Sequence, residues 1–392
     1  KEIISSLIVN SQNALMLYGA TGSSDFPVAS GAYDTTFNGG PLLSLPTNGT
    51  EYNNGTDLYV TKFNSTGTSL LASSFIGGSQ NDGANSSGTL LYNYGDYYRG
   101  EIQVDNNGNC YIASCTYSTD FPTTPGSPQP NAAGGMDGVL FKMTPGLSAL
   151  VWSTYLGGSG DDGCYALTID NFSNVYATGG TSSTDFPSTN GTLSPFYNGG
   201  FTDGFITKVQ NNGASILHST FIGTGSYDQS FLIQFDVDFN LYIIGQSDGS
   251  MPVSPGAYSN PNSKQFIWKI DSTLSNTLVT TIFGNGNGQI NISPSAFLVD
   301  GCGNIFVRLR PPGLNHLLLL DQGRPRLPGP DHLLLPGPDH LLQRHARRLK
   351  RRFLLLGVLL GLTKLWAIRT SRLCALPAPP VQAHLWEPHF ST

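Results

Sequence analysis

Apolar residues along this chain come in short runs separated by polar turns. One stretch reads NVYATGG (174–180), GFITKVQ (204–210), ILHSTFIG (216–223) and FLIQFDV (231–237). Each run is rich in β-branched and aromatic residues and is bounded by Gly, Asn or Asp, which predicts a strand. None has the length or the 3.6-residue spacing of an amphipathic helix. The pattern predicts an all-β chain of short antiparallel strands.

The runs recur in fixed order. A turn motif appears as VNSQNALMLYG (9–19), VDNNGNCYIAS (104–114), IDNFSNVYATG (169–179), FDVDFNLYIIG (235–245) and VDGCGNIFV (299–307). Aligned on Asn13, Asn109, Asn174, Asn240 and Asn304, the intervals are 96, 65, 66 and 64 residues. Further landmarks repeat in step: SSDFP, STDFP and STDFP at 23–27, 118–122 and 183–187, with DGSMP at 248–252; then the F-x-T-K type strand; then ASSFIGG, WSTYLGG and HSTFIGT. Self-similarity at a fixed period marks a repeat architecture. Four antiparallel strands per unit of about 65 residues describe a propeller blade, whose two faces are buried only when neighbouring blades stack. Four complete repeats with parts at each end give about 4–5 blades, an incomplete or open propeller.

In this frame the DNNGN turn (105–109) is a tight hairpin with Gly108 at positive φ. Asp25, Phe26, Pro27, Asp120, Phe121, Pro122, Asp185, Phe186 and Pro187 are repeat-structural. Proline fixes φ, the aspartate is expected to bond backbone two residues on, and the phenylalanine is expected to plug the crevice between blades. Met251 fills the same apolar space in the fourth unit.

The constellation S-T-D-F-P, G-G-x-x-D-G, F-x-T-K, S-T-Y-L-G-G-S-G-D-D and V-D-x-x-G-N-x-Y resembles the bacterial SBBP β-propeller repeat family. It is carried here by Ser118–Pro122, Gly134–Gly138, Phe141–Lys142, Ser153–Asp162 and Ile169–Tyr176. The resemblance implies an exported or cell-surface bacterial protein, and it brings no general catalytic residues. The chain reads as a fragment without a signal peptide.

The first interval is longer by about 30 residues. The excess lies at PLLSLPTNGTEYNN (41–54) and at ANSSGTLLYNYGDYYRG (84–100). Insertions in repeats map to loops, often on the binding face. Tyr92, Tyr94, Tyr97, Tyr98 and Arg99, the one arginine before residue 308, are therefore the candidate ligand-binding residues, weighed against a longer solvent-exposed turn.

Composition divides the chain. Residues 1–307 hold seven lysines and arginines against 22 acids, whereas 308–392 hold 13 against four. An acidic body without clustered cations argues against nucleic acid. The five cysteines form no zinc pattern. The repeat ends at Val307, after which PGPDHLL occurs twice, at 328–334 and 336–342. Residues 308–392 read as an irregular basic tail, disordered or translated out of frame. FLLLGVLLGLTKLWAI (353–368) carries Lys364 and falls short of the roughly 20 apolar residues that span a membrane.

Aspartates recur at matched positions in every unit. Calcium favours such oxygen-rich sets, and Asp161 and Asp162 are the candidate metal residues; repetition in each blade reads instead as turn capping. No other cofactor is expected. His218, the one histidine before residue 308, reads as an ordinary strand residue. No nucleophile, zinc or phosphate-loop motif is present. The expected function is a non-catalytic surface scaffold for adhesion or for binding a glycan or protein. The alternative is a polysaccharide-acting propeller enzyme, which would show convergent, non-repeated carboxylates at the axial mouth.

Overall fold

Four units of the repeat each fold as a sheet of four strands that pair antiparallel. The structure is a computed structural model that describes residues 1–45, 50–92, 95–290, 293–310 and 316–320. Blade I contains β1 (Glu2–Val9), β2 (Leu15–Thr21), a small hairpin of β3 (Leu43–Leu45) and β4 (Thr50–Tyr52), then β5 (Asp57–Phe63) and β6 (Leu70–Ile76). Blade II is β7 (Glu101–Val104), β8 (Cys110–Thr116), β9 (Asp137–Met143) and β10 (Leu150–Leu156). Blade III is β11 (Asp162–Ile169), β12 (Val175–Thr181), β13 (Asp203–Val209) and β14 (Ile216–Ile222). Blade IV is β15 (Asp228–Phe235), β16 (Leu241–Ser247), β17 (Gln265–Ile270) and β18 (Thr277–Phe283). A fifth sheet joins β19 (Ser293–Val299), β20 (Ile305–Arg310) and β21 (His316–Leu320).

Within each blade the strands pair in chain order, and each innermost strand lies against the next: β1 on β7, β7 on β11, β11 on β15 and β15 on β19. This is a β-propeller whose sheets remain separate; among the described residues no sheet unites its two ends. The ends differ from the middle accordingly. Ile4 and Val9 on β1 and Leu298 on β19 are exposed, while the centre of β11 is buried. The fifth sheet runs beyond residue 307, and its register sets Leu319 opposite Phe306. The remainder of the tail, with the apolar run at 353–368, lies outside the described residues. No helix among the described residues is long and apolar enough to cross a membrane.

The cores lie between blades. Phe121 joins the cluster between blades I and II, Phe186 that between II and III, and Met251 that between III and IV. The Phe186 ring sits 4.4 Å from that of Phe205. The expected backbone bond of the DFP aspartate is replaced by a longer reach. Asp120 Oδ1 accepts from Ser79 N and Oγ, and Asp185 Oδ1 from Ser159 N and Oγ, so each DFP loop grips the turn of the preceding blade. Asp25 is exposed.

The hairpin turn is tighter than its sequence indicates. Asp105 Oδ1 accepts from Asn107 N and Asn109 N while Oδ2 accepts from Asn109 Nδ2, with Gly108 at φ +84°. In blade I, Asn10 plays the part of Asp105, and Asn13, at φ +59°, stands where Gly108 does. Asn13 is thus one residue out of register with Asn109, whose place is held by Ala14. Asparagine tolerates the left-handed region, so its side chain misled the alignment.

Candidate functional site

The insertion at 84–100 starts from a defect in the innermost strand. In blade III the β11–β12 register shifts between Cys164 and Ala166, and in blade IV the β15–β16 register shifts between Ser230 and Leu232. The bulge residues Tyr165 and Phe231 are buried, and their rings stack at 6.0 Å. In blade II, Asp82 bridges Thr116, Gly83 N donates to Cys115 O, and regular pairing resumes only with Glu101 opposite Ala113. Ala84–Gly100 therefore replace Cys164 and Tyr165. An innermost strand has its partner on one side and the axis on the other, so extra chain at its bulge enters the axial space.

There the insertion ties itself to the following blades. Ser87 Oγ donates to Asp161 Oδ2 (2.6 Å), Thr202 Oγ1 to Thr89 O (3.1 Å) and Gln229 Nε2 to Leu90 O (3.1 Å). Tyr92 stacks on Tyr227 at 4.3 Å and donates to Asp248 Oδ2 at 3.0 Å. Arg99 Nε pairs with Asp96 Oδ1 at 2.6 Å, and its Nη2 donates to Ser293 Oγ at 3.3 Å. Blades III and IV and the fifth sheet all touch this one segment.

The candidate binding residues part company. Arg99 is only 10% exposed and Asp96 is buried, so the cation faces inward. Tyr97 and Tyr98 pack with Leu43, Leu45 and Tyr52 of the β3–β4 hairpin, and the Tyr98 and Tyr52 hydroxyls lie 3.2 Å apart. Tyr92 is half exposed, and Tyr94 lies outside the described residues. The two long segments of the first repeat therefore pack on each other.

Alternating strand direction sends the second-to-third-strand loops and the blade-to-blade connections to one end of the propeller. Two aromatic side chains at that end break the repeat. Ser194 O accepts from Phe221 N as Asp34 O does from Phe75 N and Gln129 O from Tyr155 N. Two residues on, blades I and II have Thr36 and Asn131, whereas blade III has Phe196, 76% exposed. Phe201, 80% exposed, follows in the same loop. Sequence reasoning passed over both; comparing turn positions across repeats was the signal that would have found them.

The repeated aspartates occupy two places. Asp161 and Asp162, adjacent in sequence, turn apart: Asp161 Oδ1 accepts from Met136 N, and Asp162 Oδ2 accepts from Gly158 N and Ser183 Oγ. Among the described residues no group of three His, Cys, Asp or Glu side chains gathers to hold a metal. At the other end of the blades, Lys142, Lys208 and Lys269 each meet a turn aspartate (Asp105 and Asp170 at 3.6 Å, Asp236 at 2.8 Å) and lie over Tyr111, Tyr176 and Tyr242. Glu101 on β7 accepts from Leu167 N and Gln103 Nε2, and burial pushes its carboxyl up to about 7. His218 sits opposite Lys208 in the sheet, its pKa lowered by burial and then by Lys208.

Separate four-stranded sheets around an axis, with an insertion packed into that axis, define a repeat propeller. Residues 151–187 match the family model of SBBP, the beta-propeller repeat, so the chain carries that repeat. No curated protein matches the chain. Among solved structures it is similar to a protein of unknown function from Dyadobacter fermentans (11% identity, 80% of this chain and 73% of that one, TM-score 0.40). It is also similar to a thermostable family-43 glycoside hydrolase (10%, 87% and 97%, TM-score 0.36) and to a family PL25 ulvan lyase (8%, 81% and 67%, TM-score 0.37).

Proposed function

We propose that the chain is a non-catalytic, exported or cell-surface binding scaffold, with its ligand surface at the loop end that carries Tyr92, Phe196 and Phe201. The observation behind this reading is the non-repeated exposed pair Phe196 and Phe201. A specific site needs features that the repeat does not copy, and exposed aromatic rings are binding anchors, supplying area with few rotatable bonds. The acidic body favours a neutral glycan or a protein over a polyanion.

Catalysis fits less well. Glycoside hydrolysis needs two facing carboxyl groups. Among the described residues, the non-repeated carboxylates at the insertion are Asp96, tied to Arg99, Glu101, tied to Leu167 and Gln103, and Asp161, tied to Ser87 and Met136.

A glycan array and a protein-binding screen on the full chain, each hit then assayed for hydrolysis and elimination, test the proposal. Saturable binding without turnover is expected, weakened about tenfold or more by the Phe196→Ser/Phe201→Ser double variant. Turnover of any hit would replace this reading with that of a polysaccharide-acting enzyme. Protease accessibility on intact cells tests the surface location.

A further inference from the structure

We propose that each of the first three blade junctions holds one proton shared between two aspartates, so that the contact between neighbouring blades is proton-linked. Three glycines mark these junctions. A methyl group on Gly77 would collide with Asp57 Oδ1 and Asp82 Oδ2; on Gly157, with Asp137 Oδ1 and Asp162 Oδ2; on Gly223, with Asp203 Oδ1 and Asp228 Oδ2. Each pair joins the first residue of a third strand to the aspartate heading the next blade's innermost strand. The same two oxygens converge each time. All six side chains are buried.

At the second and third junctions the third-strand member of the converging pair is bare. Asp137 Oδ1 and Asp203 Oδ1 have no hydrogen-bond partner. Their converging partners carry donors, Asp162 Oδ2 from Gly158 N and Ser183 Oγ and Asp228 Oδ2 from Thr224 N and Oγ1, as Asp82 Oδ2 does from Gly78 N and Ser118 Oγ; the outer Asp137 Oδ2 is held by Ala133 N and Gly134 N, and the outer Asp203 Oδ2 by Asn198 N. In the first junction Asp57 Oδ1 accepts from Gly39 N. None of the six forms an ion pair among the described residues. The groups facing them are Asp34, Cys115 and Tyr155 at the first pair, Asp161, Cys164, Tyr155 and Tyr197 at the second, and Asp248 and Tyr197 at the third. Two like charges this close and this buried do not both ionise; one proton between them satisfies the bare oxygen and leaves one charge for the surrounding N–H groups. A calcium ion would need six to eight oxygens, and Asp137 Oδ2, Asp162 Oδ2, Asp203 Oδ2 and Asp228 Oδ2 already serve N–H and hydroxyl donors.

The two aspartates behave as a unit along the chain. At the fourth junction the third-strand position opposite Ser247 is Lys264, and the matching innermost position, 64 residues after Asp228, is Ile292 in the sequence. Both acids are lost together. Glu2, opposite Thr21, holds the innermost position of blade I with no preceding blade among the described residues; its carboxyl is lowered, chiefly by the Ser23 hydroxyl. Where pairs exist, burial raises the carboxyls, Asp57 and Asp228 to about 6, Asp162 and Asp203 to about 7.

A folded pKa above the unfolded value means that the native state keeps the proton longer. Stability from these pairs is therefore full at acidic pH and lost as pH rises from about 4 to 7. Denaturant titrations of the full chain from pH 5 to 8 measure this slope. Asp162→Asn and Asp228→Asn, at separate junctions, should each reduce proton uptake on folding by about one and raise the midpoint at pH 8. Infrared spectra of the native wild-type chain at pH 6 should show a protonated-carboxyl band that weakens in each variant. An unchanged slope in both variants, or no such band in the wild type, overturns the proposal. So does a calcium-dependent rise in the wild-type midpoint at pH 8 that Asp162→Asn abolishes, which would assign the pair to a cation.

Discussion

The Arg99 guanidinium lies over the ring of Phe231, 3.9 Å from its centroid. The two residues belong to different blades, and they meet because both come from the same defect, the bulge of the innermost strand. Phe231 is the bulge residue of blade IV; Arg99 is near the end of the segment that replaces the bulge of blade II. The insertion thereby cross-ties blades that, among the described residues, share no sheet.

Arg99→Ala is expected to cost about 3–5 kcal/mol, because it leaves the buried Asp96 carboxylate without its cation. Arg99→Lys should recover only part of this, since the ammonium lacks the planar face that lies on Phe231. Denaturant unfolding followed by tryptophan fluorescence checks both. Equal stability of the three proteins would mean that the insertion is a passive loop.

The DFP loops give a graded series. Phe186 is 3% exposed between blades II and III, whereas Phe26 is only half-buried at the start of the arc. Phe186→Ala should cost about 3–5 kcal/mol through the cavity it leaves. Phe26→Ala should cost clearly less, since blade I has no earlier blade packed on it among the described residues. Comparing unfolding midpoints of the two variants is sufficient.

These positions also show how far the sequence could be read. Strand runs, turns and the period are local features, so the blade and its order were legible. The Phe121 position was visible as an apolar residue in a repeated loop, and the structure packs that side chain in the cluster between blades I and II. Arg99 was not legible as a buried residue: a basic residue among tyrosines looks like surface, and only the bulge directs the segment inward. Asp57 and Asp82 were each visible as repeated aspartates. Their pairing across Gly77 was hidden because it joins successive blades. Phe196 was obscured because one exposed apolar residue is ordinary by itself; it stands out only against Thr36 and Asn131.

The turn aspartates predict the acid limb of stability. Asp236 is lowered below the usual carboxylate range by its bonds to Lys269 and to Asn240, and Asp271 is lowered to about 2 by Asn276, Ser275 and Thr273, in both cases against a desolvation cost. Folded values below the unfolded ones give stability that is present above about pH 4 and lost as pH falls toward 2. Asp236→Asn should flatten this limb and lower stability at pH 7. Midpoints measured from about pH 2 to 4 carry the test, below the range of about pH 4 to 7 over which the junction aspartates act.

The outer rim shows why exposed apolar residues there need no partner. Leu71, Val151, Leu217 and Leu278 are all exposed, and each falls at the second position of an outermost strand, where the register shifts. A bulge on an edge strand breaks the ladder that another chain would need for pairing. The side chain it turns outward contributes little to the core. Leu217→Lys should therefore change stability by less than about 0.5 kcal/mol, whereas Phe221→Ala on the same strand should cost several. If Leu217→Lys proved as damaging as Phe221→Ala, the rim residue would be packed against something, and the blade edges would be interfaces and not blunted ends.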